Sequence, residues 1–342
     1  MRLPDADLHA VLERTAGLWE GSRRGRIFLA GGTGFVGRWL AESVMFANDR
    51  MDLGLTMTIL TRDPDGFRRR APHLAAHPAV TLHRGDVRDF IFPPGEFQHV
   101  LHAAFDSSTP PPDRAVWDTI VHGTERLLEF AHGSRAEGVL LVSSGAVYGP
   151  QPPGITRVPE DFPGAPPPTP EFVYGEAKRA AELVSLIAGR ELGLSVKIAR
   201  GFAFVGPLLP LDAHFAIGNF IGDALARRSI RVRGDGTPLR SYLYASDLAV
   251  WLLTILFRGR SGVPYNVGSE EETTIADLAR LVARAIDPRL PVEIAGAPQG
   301  GPPARYVPST RRAREELGLE PTVDLLESIR RTAGWYSEMR SQ

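Results

Sequence analysis

Tyr174 and Lys178 stand four residues apart in the stretch FVYGEAK, so a helix over this stretch would put both side chains on one face. A phenol titrates near pH ~10, and a nearby ammonium stabilises its phenolate, so such a pair can move a proton near neutral pH. The chain has two lysines, Lys178 and Lys197, among 39 basic residues. Lysine at this point of an arginine-rich chain favours a site that needs a compact charge.

Two hydroxyls, Ser143 and Ser144, follow an apolar run in GVLLVSSGAVYG. In open α/β sheets, ligands bind at the carboxyl ends of the strands, so the sequence predicts that this pair lies at the ligand-binding edge. A hydroxyl there can hold a substrate carbonyl or alcohol while Tyr174 moves the proton. Together with Tyr174 and Lys178, the serines predict a catalytic set.

The segment GGTGFVG, residues 31–37, lies between the apolar run RIFLA and the helical pattern RWLAESVMFAN. Glycines allow the tight turn and the close approach of a pyrophosphate to the first amides of the helix. A glycine pattern in this setting predicts a dinucleotide loop, whose nicotinamide would take or give the hydride. The predicted cofactor contacts in it are Gly31, Thr33, Gly34, Phe35, Val36 and Gly37.

The next predicted strand ends in TRDP, where Arg62 comes before Asp63. An arginine at this place accommodates a 2′-phosphate, whereas a carboxylate binds the adenosine ribose. Arg62 therefore favours NADP(H), and NAD(H) remains the alternative if Asp63 takes the ribose. Asp86, in RGDVRD at the end of another predicted strand, is a candidate for the adenine amino group.

Short β-rich runs alternate with helical patterns over the first two hundred residues, which is typical of βαβ units. The predicted fold is α/β, a doubly wound parallel Rossmann sheet with a smaller α/β substrate-binding lobe in the C-terminal half. The predicted domains are an N-terminal extension (1–24), the dinucleotide-binding domain (25–203 plus about 240–268) and the substrate lobe (204–239 plus 269–342). The proline-rich stretch 150–170 predicts a long ordered loop.

The composition of the chain limits the kinds of partner that the protein is expected to bind. The net charge is −1, so no broad electrostatic attraction to nucleic acid or to a membrane surface is expected. No apolar window is long enough for a membrane span, and the acidic N-terminus does not resemble a secretory signal. The chain has no cysteine, which removes disulfides and thiolate metal ligands. We predict a cytoplasmic protein without a metal site.

The sequence resembles the extended short-chain dehydrogenase/reductases, the family of nucleotide-sugar epimerases, dehydratases and reductases. The resemblance runs nearly from end to end, and the segments that carry it are GGTGFVG, GDVRD, HAA at 102–104, SSGAVYG, YGEAK, NFIGDAL, GDGTPLRSYLYASDLA, YNVGS and LGLEPTVDLLESIRRTAGWY. It implies that Ser144 is the catalytic hydroxyl beside Tyr174 and Lys178. The further cofactor contacts that we assign are Val87, Ala103, Ala104, Ser143, Tyr174, Lys178 and Val205.

The resemblance also implies substrate contacts from Ser144, Asn219, Arg240 and position 203. An arginine fork suits a diphosphate. Ala203 stands where the family has an asparagine, so one substrate contact loses its amide. Ile120 in the helix motif IVHGT likewise replaces a family asparagine.

Two further departures concern the reaction. Related 4,6-dehydratases carry an Asp-Glu pair directly after the catalytic hydroxyl, and decarboxylases keep the glutamate. Here these positions are Gly145 and Ala146, which cannot transfer a proton, so dehydration requires that Glu160 or Asp161 reach in from the proline-rich loop.

We therefore expect an enzyme that reduces a 4-keto sugar nucleotide, or oxidises the corresponding alcohol, with NADP(H). A nucleotide-sugar 4-epimerase is the alternative, and a 4,6-dehydratase or a non-catalytic dinucleotide-binding protein ranks below both. The resemblance further implies a homodimer through a four-helix bundle made by the helices near 113–133 and 172–192. The apolar positions that suggest it are Val116, Ile120, Leu127, Leu128, Leu183, Val184 and Ile187.

Overall fold

The computed structural model describes residues 2–104, 112–213, 215–297 and 300–341. The chain forms two compact units. The first comprises Met1–Gly149, Gly164–Gly201 and Ala249–Tyr265, and the second comprises Pro150–Pro163, Phe202–Leu248 and Asn266–Gln342. The chain therefore passes from one unit to the other five times.

The described strands are short and number fourteen. In chain order they are Arg26–Ala30 (β1), Thr56–Thr61 (β2), Val80–Arg84 (β3), His99–His102 (β4), Gly138–Ser144 (β5), Val196–Gly201 (β6), Phe204–Val205 (β7), Ile230–Val232 (β8), Leu239–Ser241 (β9), Leu243–Tyr244 (β10), Pro264–Val267 (β11), Glu272–Thr274 (β12), Val292–Ile294 (β13) and Arg305–Tyr306 (β14).

A seven-stranded sheet forms the centre of the first unit, with the strand order β11-β6-β5-β4-β1-β2-β3. Strands β1 to β6 pair in parallel. The order reverses between β1 and β4, which is the place where open sheets of this kind bind ligands. Strands β1 and β5 are almost continuously buried, as their unbroken apolar runs predict. The predicted Rossmann-like α/β fold is confirmed.

The helices follow the predicted pattern with two interruptions. In chain order they are Asp5–Thr15 (α1), Phe35–Met51 (α2), Pro64–Arg70 (α3), Pro72–Ala75 (α4), Asp113–Trp117 (α5), Gly123–Gly133 (α6), Val173–Leu192 (α7), Ala216–Leu225 (α8), Ala245–Arg258 (α9), Ile275–Ile286 (α10), Arg311–Leu317 (α11) and Leu325–Ser341 (α12). The helices α3 and α4 are separate, because Pro72 has no N–H and starts a new helix. A π-helical turn, Asp118–His122, separates α5 from α6.

Residues 2–24 form part of the first unit. Helix α1 lies against α2. Just before α1, the backbone N–H of Leu3 donates to the Glu42 carboxylate of α2 at 2.8 Å. Trp19 is fully buried, and its ring meets that of Phe257 edge to face with the centroids 5.3 Å apart. The segment predicted as an extension therefore contributes to the core of this unit.

Three small sheets and four helices make up most of the second unit. The sheets have the orders β10-β7, β12-β9-β14 and β13-β8, and α8, α10 and α12 pack together. Part of the proline-rich stretch is held here, because Val158 forms a β-bridge with Pro308 and its carbonyl accepts a hydrogen bond from the Asn266 amide at 2.8 Å. Over the described residues of both units, no helix has the length and apolar character needed to cross a bilayer.

Candidate active site

The glycine loop joins β1 to α2 with close backbone contacts. Gly31 has a φ of +86°, and a Cβ on it would lie 2.3 Å from the carbonyl carbon of Ala103. A Cβ on Gly37 would lie 2.1 Å from the carbonyl oxygen of Gly31. The loop after β1 therefore touches the segment after β4, which includes the predicted contact Ala104. Thr33 and Gly34 are exposed just before α2, and the first amides of a helix favour an anion.

Arg62 and Asp63 follow β2 and have different surroundings. The Asp63 side chain caps α3 by accepting a hydrogen bond from the backbone N–H of Gly66 at 2.9 Å. This hydrogen bond is the main reason that the pKa of Asp63 is lowered. Arg62 is exposed at the strand end. The carboxylate is thus already used by the fold, and the guanidinium lies at the surface.

Asp86 follows β3 and forms a two-pronged pair with Arg88, whose Nε and Nη2 donate at 2.8 and 3.0 Å. These hydrogen bonds are the main reason that the pKa of the Asp86 carboxyl is lowered. The carboxylate of Asp86, the predicted adenine contact, is therefore already paired with an arginine. Its neighbour Val87 is buried under α6, against Gly123.

The three predicted catalytic residues come together at the end of β5 and the start of α7. Ser144 is hydrogen-bonded to Tyr174, and its Oγ also accepts from the backbone N–H of Ala146 at 3.1 Å. The Lys178 ammonium lies 5.9 Å from the centre of the Tyr174 ring and donates to the carbonyl of Val142 at 2.8 Å. A hydroxyl, a phenol and an ammonium in this order can exchange a proton with a substrate oxygen.

Burial acts on both titrating members of this set. It raises the pKa of Tyr174, and the hydrogen bond from Ser144 opposes this effect. Burial lowers the pKa of Lys178 to about 8, against the opposing charge of Glu182. An ammonium stabilises a nearby phenolate and a neutral amine does not, so the charge state of Lys178 bears on the ionisation of Tyr174.

A buried histidine at the end of β4 borders the site. His102 shares a hydrogen bond of 2.9 Å between its Nε2 and the Thr124 Oγ1, and its Nδ1 accepts from the backbone N–H of Ala104 at 3.3 Å. Burial, helped by the charge of Lys178, lowers the pKa of His102 to about 3. The imidazole is therefore neutral and fixes the predicted cofactor contact at Ala104. The motif HAA contained this residue, but sequence reasoning gave it no role.

Sequence reasoning also missed a buried ion pair behind the catalytic set. The Ser143 hydroxyl donates to the Glu182 carboxylate at 2.5 Å, and Arg200 binds the same carboxylate with its Nε and Nη2. The hydroxyl hydrogen of Ser143 is thus used inside the protein, and its predicted cofactor contact would have to come from the backbone. The spacing of Lys178 and Glu182, four residues apart, was the available signal.

The remaining predicted contacts lie in the second unit. Ala203 precedes β7, Asn219 is half-buried on α8, and Arg240 is half-buried on β9. The Arg240 guanidinium donates to the carbonyl of Leu239 at 2.8 Å. Val205 on β7 is fully buried, so a cofactor contact from it would use its backbone.

Residues 27–268 match the family described as the NAD dependent epimerase/dehydratase family. The chain belongs to this family. It is 31% identical over 320 residues to UDP-glucuronic acid decarboxylase 1 of Danio rerio, an alignment that covers 92% of this chain and 73% of that protein. It is therefore an enzyme of the extended short-chain dehydrogenase/reductase type, as the motifs predict.

Solved structures with the same fold include a dehydratase and an epimerase. The dTDP-glucose 4,6-dehydratase of Bacillus anthracis in complex with NAD has a TM-score of 0.77 and 22% identity, covering 93% of this chain and 98% of that one. The epimerase Mth375 of Methanothermobacter thermautotrophicus has a TM-score of 0.78 and 21% identity, covering 96% and 97%.

The short turn that follows Ser144 offers no acid–base group at its first two positions. Gly145 and Ala146 begin the short helical turn Gly145–Tyr148 and carry no ionisable group. Glu160, the predicted substitute, is buried in the second unit, where its carboxylate accepts a hydrogen bond from the backbone N–H of Asn266 at 3.0 Å. The described residues therefore give Glu160 a structural partner of its own.

Proposed function

We propose that this chain is an NADP(H)-dependent oxidoreductase that reduces the 4-keto group of a nucleotide-linked hexose. The observation that carries the proposal is the hydrogen-bonded pair of Ser144 and Tyr174, with Lys178 one turn further along α7. The glycine loop fits a dinucleotide, because Gly31 and Gly37 leave no room for a Cβ. When bound, the nicotinamide supplies a hydride to the carbonyl carbon.

The side chains of this site would handle the substrate oxygen and its proton. Ser144 holds the C4 oxygen, and Tyr174 gives its phenolic proton to that oxygen as the hydride reaches carbon. The product is an alcohol at C4, and the residue is left as a phenolate. The ammonium of Lys178 stabilises that phenolate until a proton from solvent restores the phenol.

The preference for NADP(H) is supported by the contrast between Arg62 and Asp63. Asp63 caps α3, whereas Arg62 lies exposed at the end of β2. A 2′-phosphate that gains an arginine contact gains about 1.5–3 kcal/mol, roughly 10- to 150-fold in affinity. Arg62→Ala should remove most of the preference while the neighbouring Arg68→Ala keeps it, and calorimetric titration with NADP⁺ and NAD⁺ measures both. Equal affinities in the parent protein contradict the proposal.

Gly145 and Ala146 favour reduction over decarboxylation and dehydration, the activities that the names of the relatives describe. The zebrafish relative is a decarboxylase and the Bacillus anthracis structure is a dehydratase. In the related dehydratases and decarboxylases, a carboxylate occupies one or both of these positions. Reduction and epimerisation at C4 need no acid–base group there, so the loss of the carboxylate leaves both possible.

Isotope transfer distinguishes the two remaining reactions. A panel of 4-keto and 4-hydroxy nucleotide-hexoses is incubated with NADPH that carries deuterium at C4, and the sugar is read by NMR. A reductase places deuterium at C4 of the sugar and consumes one NADPH per turnover. An epimerase interconverts the C4 epimers with no net change of absorbance at 340 nm, and that outcome would replace the reductase assignment.

The substrate class is supported by the names of the relatives, which act on UDP-glucuronic acid and dTDP-glucose. Arg240, with a planar guanidinium on β9, is the residue that we assign to the diphosphate. Competition by UDP, dTDP, CDP and GDP against a bound fluorescent nucleotide will identify the base.

We also propose a homodimer through α7. Leu183, Leu186 and Ile187 are 58%, 41% and 37% exposed on this helix. Four of the seven apolar positions that suggested a helix bundle cannot contribute to it, because they are buried in the core of the first unit: Val116, Ile120, Leu127 and Leu128. The exposed leucine and isoleucine side chains of α7 are therefore the proposed contact with a second copy.

A further inference from the structure

Four side chains form a buried ionic cluster directly behind the catalytic set: Ser143, Tyr148, Glu182 and Arg200. Arg200 holds the Glu182 carboxylate in a fork, with Nε and Nη2 at 3.0 and 2.6 Å from its two oxygens. The remaining Nη1 donates to the Tyr148 hydroxyl at 2.8 Å. Ser143 completes the cluster through its hydrogen bond to Glu182. Each member thus has its place fixed by another.

The cluster is attached to every element that carries a catalytic residue. Glu182 lies one turn after Lys178 on α7, and Ser143 immediately precedes Ser144 on β5. Tyr148 ends the turn that follows Ser144. Arg200 lies on β6, in register with Ser143. A substitution in the cluster therefore acts on the same elements that hold Ser144, Tyr174 and Lys178.

Among the residues that the structure describes, the charged and titratable groups that face Lys178 come from three elements. Tyr174 and Glu182 share its helix, His102 lies on β4, and Arg200 acts from β6 through Glu182. Burial of Lys178 favours the neutral amine, and His102 is neutral at physiological pH. Glu182 supplies the negative charge that opposes the effect of burial on the ammonium. Arg200 fixes the position of that charge and partly balances it.

We propose that Glu182 is a positioning residue that keeps the Lys178 side chain protonated, and that the Arg200 guanidinium limits this effect by pairing with the Glu182 carboxylate. The proposal rests on the proton-transfer role that Lys178 has in the proposed function. Without the carboxylate, the buried lysine loses its proton at a lower pH, and Tyr174 loses the cation that stabilises its phenolate.

The chain offers a direct test, because it has only two lysines. Labelling of lysine side chains with ¹⁵N at Nζ gives two side-chain signals, and a pH titration by NMR follows Lys178 without any substrate. Glu182→Gln should lower the titration midpoint of Lys178 by about one pH unit or more, since the opposite charge is gone. Arg200→Met should raise it, because the carboxylate then acts on Lys178 without the opposing guanidinium. Glu191→Gln, an exposed change on the same helix, is the control.

The two variants move the midpoint in opposite directions only if charge is responsible. An unchanged midpoint in Glu182→Gln, or a shift of the same sign in both variants, overturns the proposal. Glu182→Asp keeps the charge and should restore the parent midpoint, and circular dichroism identifies any variant that does not fold. The pH at which turnover falls should move together with the midpoint. If turnover with every 4-keto substrate is absent, the proposed function fails while the NMR titration still decides the role of Glu182.

Discussion

His99 should make the protein lose stability in mild acid. It opens β4 and is 7% exposed, its Nε2 lies 3.0 Å from the Ser22 Oγ, and its ring meets Phe257 edge to face. Nδ1 has no hydrogen-bond partner among the described residues. A protonated ring would carry hydrogens on both nitrogens and bury one of them without an acceptor. Burial accordingly lowers the pKa of His99 to about 4.

The sign and size of the effect follow from proton linkage. Between pH 6.5 and about 4 the unfolded chain binds a proton at His99 and the folded chain does not, so stability falls as the pH falls. The whole difference is about 3 kcal/mol, and about 2 kcal/mol of it is lost by pH 5. His102, whose pKa is lowered to about 3, adds a loss in the same window.

The assay is urea unfolding of the parent and of His99→Gln at pH 7 and pH 5. The parent should lose about 2 kcal/mol more between the two values than the variant does, because all other titrating groups act equally on both. The exposed His132→Gln is the control and should keep the pH dependence of the parent. If His99→Gln and the parent lose the same free energy, His99 is not a buried neutral group.

Three further changes test the cofactor loop, the catalysis and the assembly. Gly37→Ala should weaken NADPH binding about tenfold or more, because its Cβ would lie 2.1 Å from the Gly31 oxygen. The control is Gly21→Ala, where the added Cβ meets nothing within 4 Å and fluorescence titration should give the parent affinity. Tyr174→Phe should reduce turnover by about two to four orders of magnitude with unchanged cofactor affinity, so a variant with parent turnover removes Tyr174 from the chemistry. Leu183→Glu should be monomeric in light scattering. The control Ile91→Glu, at a site that is 82% exposed and lies outside α7, should remain dimeric. A monomeric parent protein contradicts the proposed dimer.

Local sequence signals predicted the elements that carry the site. The strand, glycine loop and helix around residues 26–51 were evident because apolar runs and glycines act over a few residues. The spacing of Tyr174 and Lys178 predicted their common helix for the same reason. The cap formed by Asp63 also had a local signal, since an aspartate before proline often begins a helix.

The contacts that sequence reasoning missed join residues that are distant in the chain. Ser143 and Glu182 are 39 residues apart, and Arg200 lies opposite Ser143 in the register of β5 and β6 while its side chain binds Glu182. No periodicity within one element reports such a contact. The π-helical turn around Ile120 was likewise hidden, because its apolar pattern fits a continuous helix. The partner of Asp86 was missed although it is close in sequence, since Arg88 lies only two residues away.

The five passages of the chain between the two units have a consequence for synthesis on the ribosome. The first unit needs Ala249–Tyr265, so its sheet cannot be complete until about three quarters of the chain has been made. The second unit needs the final residues, and its first piece, Pro150–Pro163, must wait for them. Until β11 has been made, the nascent sheet exposes β6 as an unpaired edge, and exposed strand edges of this kind are what chaperones protect. For the same reason, no single cut in the gene can release either unit as an independent folding fragment.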